Sequence, residues 1–307
     1  MKKIILFILF IIFVPFFIVF IYKLYFVKLI ELNYIENHNI RVKRLSSGTI
    51  EVMPLEEYIV GVLAGEMPIY FEKEALKAQA VASRSYALKR IGYNIDNEYD
   101  VVDSVLNQVY LDNDYLKDAW GFNYKENLNK LRTVVNETLD EVMYYDDEVI
   151  DALFFSTSNG YTEDSSVIFN LDLPYLKSVE SFWDRDTSSA FKVSKSISLS
   201  DFYQRLDLEY SDNLEYEVLE RSATNRIVKL KINGVIFNAS EVYSKLGLMS
   251  YDFSFKQDDK RIIINTCGYG HGVGLSQYGA LGMAKEGYNY IEILKYYYTG
   301  INIDKIK

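Results

Sequence analysis

Eighteen consecutive apolar residues, Ile4 to Ile21, constrain this chain more than any other feature. At about 1.5 Å rise per residue a helix of that length spans about 27 Å, close to the roughly 30 Å hydrocarbon core of a bilayer. Pro15 kinks such a helix without forbidding it. A cleaved leader has an apolar stretch of about 7–15 residues and then a small-residue cleavage site, and this run fits neither. The expectation is one membrane anchor at 4–22, preceded by a cytoplasmic tail at 1–3. Lys2 and Lys3 before the run, against Lys23 after it, favour a cytoplasmic amino terminus with the remainder outside.

Composition narrows what the remainder can do. Of 33 Lys and Arg, three flank the run, and the other 30 face 43 Asp and Glu. An acidic ectodomain of this kind does not attach through a polybasic patch and argues against nucleic acid as a partner. Apolar residues at 49% and only 4 Pro are enough to build a core. One Cys excludes an intrachain disulfide and a thiolate zinc cluster, and two His, His38 and His271, exclude a His-rich metal site.

Residues 23–39 read as a spacer and 40–307 as one large ectodomain. Ile40 to Leu45, a Ser46-Ser-Gly48 turn and Thr49 to Met53 read as a hairpin. Pro54 opens a helix. Leu55, Tyr58, Ile59, Val62 and Leu63 follow at i, i+3, i+4, i+7 and i+8, an apolar stripe that must pack on something. Gly65 suits the position just past that helix, which leaves Glu66 outside it, before Met67 and Pro68. An Ala-rich helix is expected at about 72–91, another at about 126–140, and a short strand at Ile150 to Phe155. Strands are expected at 226–232 and 260–265, a helix at 200–206, and two helices within 275–298. Strands and helices without regular βαβ alternation point to an α+β fold of mixed helices and antiparallel strands.

Chemistry has few places to reside. In Cys267-Gly-Tyr-Gly-His-Gly-Val-Gly274, four glycines in seven positions let the backbone approach a ligand or another chain closely. The dinucleotide fingerprint fails because Leu275 stands where its last glycine belongs, and no P-loop is present. His271 has little side-chain packing among these glycines, which favours a site over a structural turn. With Cys267 it also forms a formal nucleophile and base pair. Ser156, Ser158 and Ser276 offer hydroxyls, yet no nucleophile elbow surrounds them. Glu66 stands out among the carboxylates. Burial and the negative end of the preceding helix would both disfavour its ionisation, as a general acid requires. A C-terminal cap or salt bridge is the plainer role. Arg84, on a small apolar helix segment, needs a partner, for which a structural salt bridge suffices.

Taken together, the motifs resemble the stage II sporulation protein D family. Pro54 to Pro68 (PLEEYIVGVLAGEMP) with Ala75 to Tyr86 (ALKAQAVASRSY) is similar to its first signature, and Tyr269 to Ala280 with Ile293 to Gly300 to its carboxy-terminal one. Gln108-Val-Tyr110, Ser156-Thr-Ser158, Pro174 to Ser178 and Leu246-Gly-Leu248 fall between them in the family order. The resemblance covers about residues 40–303. It implies a lytic transglycosylase held in the mother-cell membrane, facing the septal wall. Such an enzyme cleaves peptide-stripped glycan strands of peptidoglycan during forespore engulfment. The catalytic acid then maps onto Glu66. Arg84, Tyr175 and Lys177 map onto further functional positions, and Ser156, Ser158, His271 and Gln277 are expected to line the substrate groove. Implied partners are stage II sporulation proteins P and M, and no cofactor is implied. Some members bind zinc near the Ser-Thr-Ser motif, but residues 140–160 lack Cys and His, so no metal is expected. Asn159, where Gly is usual, and Met249, where Arg is common, depart from the family pattern. A non-catalytic amidase enhancer that binds glycan is the alternative from another class.

Overall fold

The computed structural model describes residues 2–25, 29–30, 32 and 38–306, and within the first helix the side chains of 10–11 and 13–23. Most of the spacer at 23–39, and the anchor's side chains at 4–9 and 12, lie outside the described residues. The chain divides into two compact units, residues 1–142 with 304–307, and 143–303. No Pro- or Gly-rich linker marks that boundary, because it falls inside a strand, which is why the sequence reads as a single ectodomain.

In the first unit, helix α1 (Lys2–Tyr25) carries the apolar run. Phe10, Phe13, Phe16, Phe17 and Ile18 on it are 61–73% exposed. Among the described residues no helix is long and apolar enough to cross a membrane. β1 (Asn39–Lys43) and β2 (Ile50–Pro54) pair antiparallel as the expected hairpin, and β3 (Val101–Val102) joins β1 in parallel. Three helices pack together: α2 (Leu55–Glu66), α3 (Lys73–Tyr93) and α5 (Tyr124–Glu137), with α4 (Asn113–Trp120) beside α5. The predicted stripe Leu55, Tyr58, Ile59, Val62 and Leu63 is buried along α2, and Ala75, Ala78, Ala80, Ala82 and Ala87 let α3 come close. Pro54 ends β2 and caps the start of α2, one residue before its first turn, and α2 runs one residue past Gly65, so that Glu66 is its last residue.

The second unit begins within β4 (Glu141–Tyr145), which pairs antiparallel with β5 (Glu148–Val149). Of the strand expected at 150–155 only β6 (Phe154–Phe155) forms. Two short helices follow, α6 (Ser165–Phe169) and α7 (Asp184–Thr187). A sheet subregion then builds its own core. β7 (Lys192–Ser198) leads to α8 (Leu199–Arg205), and β8 (Tyr216–Arg221), β9 (Ile227–Ile232) and β10 (Val235–Asn238) form a meander. Helix α9 (Ala239–Leu246) precedes β11 (Asp252–Asp258) and β12 (Arg261–Cys267), in the sheet order β11-β12-β7. Alternate strand residues such as Leu230, Ile232, Phe253, Phe255, Ile262 and Ile264 point inward onto Phe202, Val242 and Leu246. β13 (Leu275–Ser276) pairs in parallel with β6 and leads to α10 (Gln277–Lys285), α11 (Tyr290–Tyr297) and β14 (Asn302–Lys305). Mixed helices and mainly antiparallel strands make this an α+β fold, with two short parallel pairs among the described residues.

Candidate functional site

Glu66 closes α2, where the carbonyls of the last turn make the surroundings electronegative. Its side chain is half-buried. The backbone N–H of Val109 donates to its Oε1 at 2.7 Å. The segment carrying that N–H lies directly on α2. A Cβ at Gly65 would stand 2.5 Å from the Val109 carbonyl oxygen, and one at Gly61 would stand 2.3 Å from the Tyr110 ring. Gly65 is therefore a contact residue inside the helix and not the terminator expected from its type. Tyr110 stacks on Tyr58 at 5.4 Å and lies under the Arg44 guanidinium, and burial pushes its phenol up to about 12. Beyond Glu66 the chain turns at 67–71. There Lys130 Nζ donates to the carbonyls of Ile69 and Phe71, and burial lowers its pKa from the usual lysine value.

Arg84 occupies a different position in the same unit. It is fully buried, Nε and Nη2 each donate to Glu56 at 2.7 Å, and Nη1 donates to the Glu141 carbonyl. A guanidinium sealed on a buried carboxylate joins α2 to α3.

In the second unit the glycine-rich segment lies against the chain itself. Thr157 and Tyr269 exchange backbone hydrogen bonds, and Leu275 pairs with Phe154. Gly268, Gly270, Gly272 and Gly274 all have positive φ. A Cβ at Gly274 would stand 2.0 Å from the Leu153 carbonyl oxygen, and one at Gly272 would stand 2.6 Å from Arg226 Nε. The glycines thus serve the close approach of two backbone segments. That approach brings the Ser-Thr-Ser loop and the residues around Gln277 together on Asp184. The Ser158 N–H, the Ser181 hydroxyl and the Ser276 hydroxyl donate to its carboxylate at 2.8, 2.6 and 2.5 Å. Asp184 is fully buried, and burial pushes its carboxyl up against the lowering by these bonds.

The remaining expected groove residues divide by access. Ser158, Gln277 and Tyr175 are buried, with Ser158 Oγ donating to the Ser181 carbonyl and the Tyr175 hydroxyl accepting from the Asp151 N–H. Ser156 is partly exposed, and its hydroxyl lies 3.2 Å from that of Thr157. Lys177 is 39% exposed and pairs with Asp172 and Asp164. His271 stands between the Phe155 and Phe169 rings, and its Nδ1 accepts from the Val273 N–H. Burial pushes the imidazole down to about 4, so it is neutral at physiological pH. Burial also raises the Cys267 thiol, so the two do not form a thiolate–imidazolium pair. Asn159 ties its loop to the Thr224 carbonyl and to Asp252, and the Met249 carbonyl accepts from Gly270 N–H.

No motif in the sequence singles out Asp184, Arg226 or Glu163. Arg226 is buried beside Glu163 at 3.9 Å and donates to the Tyr161 carbonyl. No local pattern separates buried Asp184 from exposed Asp186 two residues later.

A family model described as "SpoIID: Stage II sporulation protein" matches residues 44–145. Stage II sporulation protein D of Bacillus subtilis (strain 168) is 39% identical over 272 residues, 87% of this chain and 79% of the relative. The protein of that name from Bacillus amyloliquefaciens is 38% identical over 272 residues, with the same coverage. A B. subtilis protein named amidase enhancer is 28% identical over 297 residues, 79% of this chain and 40% of the relative.

Proposed function

The chain belongs to the stage II sporulation protein D family, and on that premise we propose that it is a lytic transglycosylase acting on peptide-stripped peptidoglycan strands. The observation that carries the reading is the setting of Glu66. Glu66 is half-buried at the helix end, in the G-E-M-P motif.

One carboxyl group suffices, unlike the carboxylate pair of ordinary glycosidases. Glu66 gives its proton to the oxygen linking N-acetylmuramic acid to N-acetylglucosamine. The bond from that oxygen to the muramic C1 breaks. The muramic C6 hydroxyl oxygen closes onto C1, and its proton passes to the Glu66 carboxylate. The products are a 1,6-anhydro end and a free sugar hydroxyl, with no water consumed. Lys177 and Ser156, which keep solvent access, are assigned to binding the glycan.

The apolar run serves as a single-pass anchor, with the amino terminus cytoplasmic and the remainder facing the septal wall. Its exposed Phe10, Phe13, Phe16, Phe17 and Ile18 support this reading, since such a surface needs an apolar surround. Stage II sporulation proteins P and M are the proposed partners. The relative named amidase enhancer carries a second reading, a glycan-binding stimulator without cleavage of its own.

The test is mass spectrometry of denuded glycan strands after treatment with the full-length protein in detergent. Anhydro ends released by the wild type and lost in Glu66→Gln are expected. Reducing ends would indicate a hydrolase, and binding without any release would favour the enhancer reading.

A further inference from the structure

We infer that Gln108 is a positioning residue for Glu66, acting through the backbone N–H of Val109; this rests on Glu66 as the proton donor. Gln108 is fully buried. Its Oε1 accepts from the Tyr58 hydroxyl at 3.1 Å, and its Nε2 donates to the Ser83 carbonyl at 3.3 Å. One side chain thus bridges α2 and α3. The next residue presents its N–H to Glu66 Oε1, and two residues further on Leu111 N–H donates to the Gly61 carbonyl at 3.2 Å.

The contacts on α2 are Tyr58, Gly61, Gly65 and Glu66. They fall at i, i+3, i+7 and i+8, which is one face of a helix. Glycine is a poor helix former, and neither Gly61 nor Gly65 has a positive φ to justify it. Their function is steric. With a Cβ at either position, Val109 and Tyr110 would have to move off the helix. Gln108 fixes one end of this segment and Leu111 the other, and the N–H that meets Glu66 lies between them.

The bond has a chemical consequence. A donor aimed at a carboxyl oxygen favours the charged form. A general acid must start protonated, so this N–H helps to set the pH above which cleavage falls. It also holds the carboxyl in register with the bond to be broken, where a displacement of about 1 Å costs on the order of 100-fold.

The experiment compares full-length wild type, Gln108→Leu and Gly65→Ala in detergent. Gly92→Ala serves as control, since nothing lies within 4 Å of a Cβ there. NMR titration of the Glu66 carboxyl, assigned through Glu66→Gln, reads the clamp independently of turnover. In both variants the titration midpoint and the high-pH fall in cleavage should move up by about 1 pH unit. kcat should drop about 10- to 100-fold with KM within about twofold, and Gly92→Ala should match wild type. Should either variant fail to fold, the α-hydroxy acid analogue of valine at position 109 removes the N–H while keeping the shape, and the same upward shift is expected. An unchanged midpoint in folded protein overturns the proposal. A shifted midpoint in a protein that releases no anhydro ends would uphold the clamp and reject the transglycosylase.

Discussion

Glu66 and Asp184 are both carboxylates that the fold removes in part from water, and they are set up in opposite ways. Asp184 is fully buried and receives donors from Ser158, Ser181 and Ser276, so its oxygens are consumed by the fold. Glu66 is half-buried at a helix end, where the Val109 N–H donates to its Oε1. The difference in burial separates a carboxylate sealed inside the fold from one that keeps solvent access, as the proposed proton donor must. A sealed carboxylate needs every lone pair answered inside the protein. A proton donor needs a fixed position and a substrate within reach.

The largest expected effect tests the chemical side. Glu66→Gln should lower strand cleavage about 1000-fold, about 4 kcal/mol in barrier, with the thermal midpoint little changed. A large fall in stability instead would make Glu66 a second structural carboxylate. Asp184→Ala should invert that pattern. It takes the shared acceptor away from three buried donors and should cost about 3 kcal/mol, read by denaturant unfolding, with activity lost in step with the folded fraction.

A smaller effect comes from His271. Its folded pKa of about 4 lies below the ordinary 6.5, so the folded protein binds fewer protons than the unfolded chain in that window. The stability from the neutral imidazole is complete above 6.5 and is lost as pH falls towards 4. This amounts to about 2 kcal/mol between pH 7 and pH 5. Asp184 works the other way. Its raised carboxyl favours the protonated fold, and that contribution is lost as pH rises from the ordinary carboxylate range. His271→Gln should remove the histidine part of the slope in urea unfolding series, and an unchanged slope would refute its assignment. The smallest effect is expected at Cys267. Its half-buried thiol is raised by burial, and alkylation should change cleavage by less than about twofold.

Much of the fold is legible from local signals. The α2 stripe, the Ala-rich α3, the β1–β2 hairpin and strands β9 and β12 follow from period and residue type. The errors lie where a residue type has two uses. Gly65 reads as a helix terminator, because glycine adopts left-handed conformations readily, yet in the fold it makes room for Val109. The alternating glycines at 268–274 read as a place for close approach to a ligand or another chain, and in the fold they make room for residues 153–159 and the Arg226 side chain. Arg84 reads either as a ligand or as an ion-pair partner, and the fold buries it against Glu56.

The sequence alone determined the apolar run, the α+β character, the exclusion of disulfides, and Glu66 as the carboxylate most worth testing. These follow from composition, from periodicities within a few turns, and from motif order along the chain. Only the tertiary structure decided what Glu66 and Asp184 touch. Val109 is 43 residues from Glu66, and Ser276 is 92 residues from Asp184. A hydrogen bond between such distant residues imposes no period on the intervening chain, so it leaves no local trace. It comes into being only when packed helices and close-set glycines bring donor and acceptor within about 3 Å.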